Sequence, residues 1–255
     1  MSTLTRETAG SDPHPLISVI IPTLQEEKLL ARTLDQFSDD VKRRHRLEVI
    51  VSDGGSTDLT TSLARSKADL LIEPSNGCPQ NISIGRNSGA ASARGEILIF
   101  FNADVRIGDP DLFFSHMARA ISDDRFSAAT CNVLIYPEEE GNVDRVFHRC
   151  FNWYCRVLNA SGMGMGRGEC HVIRKEMFRR IGGYNTKMAA GEDYELFVRL
   201  RHVGRVHFAR GLTVFESPRR YRKMGYLGVC LLWFLNGLTA FLFHRSVVKT
   251  WKPVR

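Results

Sequence analysis

The sequence predicts an α/β fold with a mixed, Rossmann-like sheet, followed by a helical tail. Short apolar runs typical of buried strands alternate with segments in which apolar residues recur at helical spacing. This alternation is typical of a sheet covered by helices. Three of the apolar runs also end in polar or acidic residues. Because ligands of open α/β sheets bind beyond the carboxyl ends of the strands, we expect a binding crevice at those ends.

The composition divides the chain into three parts. Residues 1–15 are polar and have no apolar core, so we expect them to be disordered and not a signal peptide. Residues 16–215 carry the strand and helix patterns and form the expected domain, which is long enough for one sizeable core. Residues 216–255 form a basic and apolar tail.

In the first half of the domain, the expected strands are runs rich in Val, Ile and Leu. They span 17–21, 47–52, 70–72 and 96–101. The helices expected between them span 25–38, 58–67 and 80–93. The first has its apolar residues on one face, and the second begins at a Thr-Asp pair that can cap it. The third is rich in Ala, Gly and Ser, so it can lie close to the sheet.

The second half continues the alternation. A helix is expected to open at Gly108-Asp109-Pro110, because proline is favoured at the first helical position. The glycine-rich segment 161–168 lacks the preceding strand of a phosphate-binding loop, so we expect a mobile loop near the site. The remaining strands are expected at 126–136, 170–173 and 206–209, and the helices at 110–122, 144–158, 175–181 and 192–203.

The charge of the chain limits its binding partners. The formal net charge is +7, which suits nucleotide phosphates or anionic lipid. Four basic residues precede the uncharged run 226–243, a pattern that favours a membrane or lipid phosphate; they are Arg219, Arg220, Arg222 and Lys223. No aromatic RNA-binding motif or zinc-finger spacing is present, so nucleic acid is not expected as a partner.

The run 226–243 is predicted to associate with a membrane. As a helix it would be about 27 Å long, slightly shorter than a hydrocarbon core of about 30 Å. Both flanks are basic, so charge does not choose an orientation. An in-plane helix is favoured, and the alternatives are a membrane span or a buried helix that forms a homo-oligomer. We expect the protein at the cytoplasmic face of a membrane. The six cysteines form no CxxC pair, which favours buried, reduced thiols.

The acidic ends of the strands are the candidate site. Asp104 follows the strand 96–101 in an Asn102-Ala-Asp tip, and Asp53 follows the strand 47–52. A carboxylate at the end of a buried strand is costly unless it meets a cation or a polar crevice. Asp104 is therefore the candidate ligand of a metal and of the phosphates that the metal holds.

Five motifs in one order resemble those of the family 2 glycosyltransferases of GT-A fold. The resemblance covers about residues 16–215 and implies sugar transfer from a UDP- or GDP-sugar with a divalent metal, Mg²⁺ or Mn²⁺. The motifs are Ser18-Val-Ile-Ile-Pro-Thr, Glu48-Val-Ile-Val-Ser-Asp-Gly-Gly-Ser-Thr-Asp, the segment 85–95, Asn102-Ala-Asp104 and Gly191-Glu-Asp-Tyr-Glu-Leu.

The resemblance also implies roles for individual residues. Asp104 would bind the metal directly, and Asn102 stands where the family has a carboxylate near the ribose or near a metal-bound water. Asp53 would contact the base or ribose. Arg86 is expected to face the same pocket and to pair with phosphate or with Asp53. The first tip completes the nucleotide pocket with Pro22, Leu24 and Glu26.

On the acceptor side, the resemblance implies that Asp193 takes the proton of an acceptor hydroxyl in an inverting displacement, next to Glu192. A lipid-phosphate acceptor would need little help from a base, and the Glu192-Asp193 pair would then position it. Arg219 and Arg220 are candidates for binding that phosphate, or else form a basic stripe beside the membrane. The alternative function is an inactive nucleotide-sugar-binding scaffold on the membrane, which the neutral Asn102 suggests.

Overall fold

The computed structural model describes residues 16–74, 80–188 and 190–243, with side chains as far as Trp233. The predicted disorder of residues 1–15 lies outside the described residues. The described strands are β1 (Ile17–Thr23), β2 (Leu47–Asp53), β3 (Leu70–Ile72), β4 (Ile97–Phe100), β5 (Arg106–Ile107), β6 (Phe126–Ile135), β7 (His171–Arg174) and β8 (Arg205–Glu216). The described helices are α1 (Leu30–Leu34), α2 (Asp39–His45), α3 (Thr60–Lys67), α4 (Ile82–Ser92), α5 (Pro110–Ser122), α6 (Asn142–Ala160), α7 (Lys175–Arg180), α8 (Glu192–Leu200) and α9 (Arg219–Phe243).

The strands form one mixed sheet in the order β3-β2-β1-β4-β7-β6-β8-β5. The first four are parallel, and β7 runs antiparallel to both β4 and β6. On the far side, β8 is parallel to β6 and β5 is antiparallel to β8. The carboxyl ends of β1, β2 and β4 therefore lie side by side at one edge. The expected mixed α/β sheet is confirmed.

The helices pack tightly on both faces of the sheet. Alternate residues of β1 point to opposite faces: Val19 joins one buried apolar cluster and Ile20 the other. A Cβ at Gly89 of α4 would lie 2.4 Å from Cγ2 of Ile20. A Cβ at Gly95 would lie 2.7 Å from the backbone nitrogen of Ser18. The small residues of this segment therefore let α4 approach the sheet closely, as the composition indicates.

The predicted helix 25–38 is wrong in extent. Gln25 has a positive φ of 59°, so the chain turns before α1 begins at Leu30. A second helix, α2, follows and was not predicted. Its start is stabilised by the Ser38 hydroxyl, which accepts a hydrogen bond from the backbone nitrogen of Val41, and by two acidic residues in its first turn.

The last strand is also longer than the predicted 206–209. The Asn132 side chain donates two hydrogen bonds of 2.8 Å, to the carbonyls of Arg210 and Leu212. It thereby spans an irregularity in the pairing of β6 with β8, and β8 continues to Glu216. The two-residue strand β5, which pairs with this extension, was not predicted either.

The first part of the predicted tail packs against the domain. Tyr221 is buried, and Arg222 forms an ion pair with the buried Asp144 of α6. The helix α9 is kinked at Gly225, where φ is 70°. Beyond the kink, Tyr226 packs against Phe147 of α6 with ring centroids 4.5 Å apart. Within the described residues, no helix has the length and apolar character needed to cross a bilayer.

Candidate active site

Asp53 shapes the loop that follows β2. Its carboxylate accepts hydrogen bonds from the Thr23 hydroxyl at 3.0 Å and from the backbone nitrogens of Gly55 and Ser56 at 2.9 and 2.7 Å. The Ser56 hydroxyl donates a fourth, at 2.6 Å. Asp53 is fully buried. In this conformation the carboxylate holds the ends of β1 and β2 together, and the predicted contact with a base or ribose stays a prediction.

The first tip is held by an arginine from the other end of the chain. Arg219, the first residue of α9, donates to both carboxylate oxygens of Glu26 at 2.8 Å. Its Nη2 also lies 3.2 Å from Oδ2 of Asp104. Pro22 is buried and Leu24 is half-buried beside this tip. Arg219 therefore joins two of the predicted site carboxylates, and this contact ties the start of the tail to the site.

Asp104 lies buried just beyond β4. The Tyr136 hydroxyl donates to its backbone carbonyl at 2.5 Å, which fixes the tip. Burial raises the pKa of the Asp104 carboxyl, and the charges of Arg219 and Arg220 oppose that shift. A buried carboxylate whose pKa stays raised in spite of two nearby guanidinium groups can accept further positive charge.

The oxygen ligands that these side chains offer fit a metal ion that binds together with its substrate. Among the described residues, no three His, Cys, Asp or Glu side chains form a metal-binding group. Mg²⁺ and similar hard cations, however, need only one or two carboxylates when substrate phosphates supply other ligands. Asp104 can supply that carboxylate. The Asn102 amide oxygen accepts from Arg86 at 2.9 Å, so it is already engaged.

Arg86 is the centre of the site's hydrogen-bond network. Its guanidinium is fully buried and donates to Glu192 Oε1 at 2.8 Å. It also donates to Asn102 Oδ1 and to the carbonyl of Gly168, both at 2.9 Å. Arg86 was expected to pair with phosphate or with Asp53. In the structure it pairs with Glu192, and its contact with phosphate stays a prediction. It joins the end of β4, the glycine-rich segment and the start of α8.

Asp193 faces the same network. Its Oδ2 accepts from the backbone nitrogen of Gly168 at 3.1 Å, and its Oδ1 accepts from the nitrogen of Tyr194 at 2.8 Å. Burial and the negative charge of Glu192 raise the pKa of Asp193 to about 7. A carboxylate with this pKa is a suitable general base near neutral pH. The expectation that the segment 161–168 lies near the site is met by its last residue, Gly168.

The sequence did not predict a second buried network behind Gly168. Arg167 lies 3.4 Å from Glu169 and donates to Glu216 at 2.5 Å. Although burial opposes ionisation, Arg167 and Arg220 hold the pKa of Glu169 below its usual value. Burial and the charge of Glu169 raise the pKa of Glu216 well above its usual value. Of the two carboxyl groups, Glu169 therefore ionises more readily than Glu216. An Arg-Gly-Glu run directly before a buried strand was the available signal.

Arg220 is exposed next to this network and interacts electrostatically with Glu169, Glu216 and Asp104.

Of the histidines, His171 is buried with Nδ1 2.7 Å from the Tyr184 hydroxyl, and burial lowers its pKa well below the usual value. It is therefore a neutral core residue.

His207 packs against Phe126 and His116, and the structure does not bring it to the described site residues. The thiols of Cys131, Cys155 and Cys170 are buried and free, as expected. Cys150 and Cys230 are exposed, so for them the expectation of burial is wrong, and Cys78 lies outside the described residues.

The chain is similar in sequence to known glycosyltransferases. The chain is 36% identical over 105 residues to validoxylamine A glucosyltransferase of Streptomyces hygroscopicus subsp. limoneus, which covers 39% of this chain and 23% of that protein. It is 23% identical over 223 residues to the probable glycosyltransferase YdaM of Bacillus subtilis, which covers 82% of this chain and 52% of that protein. The chain thus spans about half, or less, of the length of these relatives.

The fold is shared with a solved glycosyltransferase. The structure of a mannosyltransferase from Pyrobaculum calidifontis, PcManGT, superposes with a TM-score of 0.64 at 22% identity. The match covers 87% of this chain and 65% of that one. Residues 18–182, more than half of the chain, match the profile of glycosyl transferase family 2. The chain therefore belongs to glycosyl transferase family 2.

Proposed function

We propose that the protein transfers a sugar from a UDP- or GDP-sugar to a membrane-proximal acceptor, with inversion at the sugar carbon. One observation carries this proposal: Arg86 and Gly168 join the Asn102-Ala-Asp104 tip to Asp193. A residue suited to a diphosphate and a residue suited to a proton transfer are thereby fixed relative to each other. Such fixed positioning is what group transfer between two bound substrates requires.

A divalent metal is part of this proposal. The mannosyltransferase with the same fold is described in complex with GDP-Man and Mn²⁺. In this chain Asp104 would hold the metal, which would stabilise the leaving diphosphate as a Lewis acid. Arg219 already places positive charge 3.2 Å from Asp104. It would therefore add to the positive charge that faces the diphosphate.

In the proposed reaction, a residue of this chain accepts the proton that the acceptor hydroxyl loses. Asp193, with its pKa of about 7, takes the proton of an acceptor hydroxyl while that oxygen attacks the sugar carbon. Glu192 next to it forms an ion pair with the buried Arg86 at 2.8 Å, which anchors the start of α8. The negative charge of Glu192 also helps to raise the pKa of Asp193.

Arg220 is the proposed contact for a phosphate of the donor or of a lipid-linked acceptor. It is exposed beside Asp104, whereas Arg219 is engaged by Glu26. Because hydrogen bonds to charged groups contribute about 1.5–3 kcal/mol, Arg220→Ala should weaken phosphate binding about tenfold to a hundredfold. The exposed Arg210 of β8 is a matched control, and Arg210→Ala should leave binding unchanged.

The test of the proposal is turnover by the full chain. With Mn²⁺ and a panel of UDP- and GDP-sugars, we expect slow donor hydrolysis without acceptor and faster nucleotide release when an acceptor is added. The alternative, an inactive scaffold, predicts donor binding without release of the sugar, and the neutral Asn102 keeps that alternative open. Location at the cytoplasmic face and self-association through the tail belong to the same proposal, and fractionation with protease protection tests the former.

A further inference from the structure

The helix α6 carries an exposed apolar stripe. The residues recur at intervals of three and four, which places them along one side of the helix. The stripe consists of Val143, Val146, Cys150, Trp153 and Val157. Its valines and tryptophan are 43% to 67% exposed. A contiguous exposed apolar surface of this kind marks an interaction site.

The opposite side of α6 is the polar one. The residues buried on this side are Asp144, His148 and Asn152. Asn152 accepts from the backbone nitrogen of Val133 at 3.1 Å and donates to its carbonyl at 3.0 Å, and Asp144 pairs with Arg222. These contacts fix the rotation of the helix about its axis. The apolar stripe therefore faces outward because polar contacts hold α6 in this orientation.

Charge around the stripe favours one kind of partner. Residues 145–168 contain four arginines and no acidic residue. Arg167 is buried, Arg156 is half-buried, and Arg145 pairs with Glu140 just before α6. Arg149, on the outer side of α6, is exposed beside the middle of the stripe. In a symmetric dimer of this chain, the same surface would face itself and bring Arg149 of one copy towards Arg149 of the other. An anionic lipid surface instead complements Arg149, and Trp153 and the half-exposed Tyr154 are residue types favoured at membrane interfaces.

We propose that α6 docks in the plane of an anionic lipid surface through the stripe Val143, Val146, Cys150, Trp153 and Val157. This surface lies on the catalytic domain itself and not in the segment beyond Arg219. The helix and α9 pack together through Phe151 and Trp233, with ring centroids 5.3 Å apart. Docking through α6 would thus hold the part of α9 around Trp233 at the same surface.

Docking also orients the candidate active site. The side chain of Asn159, at the end of α6, forms two hydrogen bonds of 2.8 Å with the backbone of Met165. Three residues later, Gly168 contacts both Arg86 and Asp193. The exposed Met163 lies between Asn159 and Gly168, in the glycine-rich segment 161–168. The docked helix would place the acceptor side of the site next to the lipid. The docking itself does not depend on the proposed sugar transfer.

The test measures binding of the full chain to vesicles without any donor. The probes are phosphatidylcholine vesicles with and without phosphatidylglycerol. Val146→Glu combined with Trp153→Glu should lower cosedimentation with the anionic vesicles about tenfold or more, because both apolar contacts are lost. Leu112→Glu, at an exposed apolar position on α5, is the matched control and should bind like the wild type. Unchanged binding of the double variant would overturn the proposal.

A second readout does not depend on substitutions in the stripe. An environment-sensitive fluorophore on Cys150, in a Cys78→Ser, Cys230→Ser background, should shift to the blue when anionic vesicles are added. No shift would place the stripe outside the lipid and refute the docking. A dimer that forms in solution and is broken by Val146→Glu, in a protein that ignores vesicles, would assign the stripe to a second copy instead and would equally refute it.

Discussion

The pKa of Asp193 predicts the pH dependence of the proposed reaction. Its carboxyl has a pKa of about 7 because of burial and the charge of Glu192. As a base it works only when ionised. About a tenth of the molecules carry the ionised form at pH 6 and about nine-tenths at pH 8. With a hydroxyl acceptor, kcat should therefore rise about tenfold between these two pH values. In Asp193→Asn, kcat should fall about 10²–10⁴-fold and the rise should vanish.

The assay is the initial rate of nucleotide diphosphate release, with Mn²⁺ and saturating donor and acceptor. Glu195→Gln is the matched control, because Glu195 lies on the same helix but pairs with Arg199. It should keep both the rate and the pH profile. A rate that falls or stays constant from pH 6 to pH 8, or an Asn variant as active as the wild type with a hydroxyl acceptor, would refute the role of Asp193. Activity of the Asn variant with a phosphate acceptor alone would support the lipid-phosphate version.

The same pKa predicts a change in stability. The folded state binds the Asp193 proton more tightly than the unfolded chain, where the carboxyl has its ordinary value of 3.8. Between about pH 4 and pH 7 the folded state therefore holds more protons, and the contribution of Asp193 to stability falls as the pH rises. Denaturant unfolding should show Asp193→Asn gaining stability relative to the wild type from pH 5 to pH 8. A difference independent of pH would contradict the raised pKa.

Two further substitutions probe the strand end and the packing of α4. Asn102→Asp keeps the oxygen that accepts from Arg86 and adds a negative charge. Calorimetry should therefore show that the Mn²⁺-dependent affinity for the nucleotide sugar is preserved or increased. A decrease in that affinity would contradict this reasoning. Gly89→Ala should lower the free energy of unfolding by about 1–3 kcal/mol, because its Cβ would lie 2.4 Å from Ile20. Gly85→Ala should lower it much less, because the nearest atom to its Cβ would be 3.6 Å away. If denaturant unfolding showed the same loss of unfolding free energy in both glycine variants, the described packing of α4 would be contradicted.

The sequence predicted those features of the fold that depend on local patterns. Runs of apolar residues predicted the parallel strands, and the small residues of the segment 80–93 predicted the close approach of α4 to the sheet. It failed where a side chain elsewhere decides the local structure. The strand β8 continues past residue 209 because Asn132, on another strand, bonds to its backbone. The chain before α1 turns at Gln25, whose backbone nitrogen donates to the Ser56 hydroxyl at 2.8 Å.

The candidate site shows the same limit. The tips of β1, β2 and β4 could be located from sequence because each directly follows its strand. The partners of their side chains could not. Glu26 meets Arg219, 193 residues away, and Arg86 meets Glu192, 106 residues away. Such pairs depend on how the whole chain packs. The buried pair Glu169 and Glu216 was missed for the same reason.

The most direct test of the central claim is calorimetric titration of UDP- and GDP-sugars into the full chain with and without Mn²⁺. The account predicts that the wild type binds at least one of these donors, and that chelating the metal or substituting Asp104→Ala weakens binding about tenfold or more. Asp124→Ala, at a carboxylate whose side chain is 93% exposed, should bind like the wild type. Equal donor affinity in the wild type and Asp104→Ala would contradict the assignment of Asp104 to the donor's metal, and a chain that binds no nucleotide sugar would contradict the proposed function.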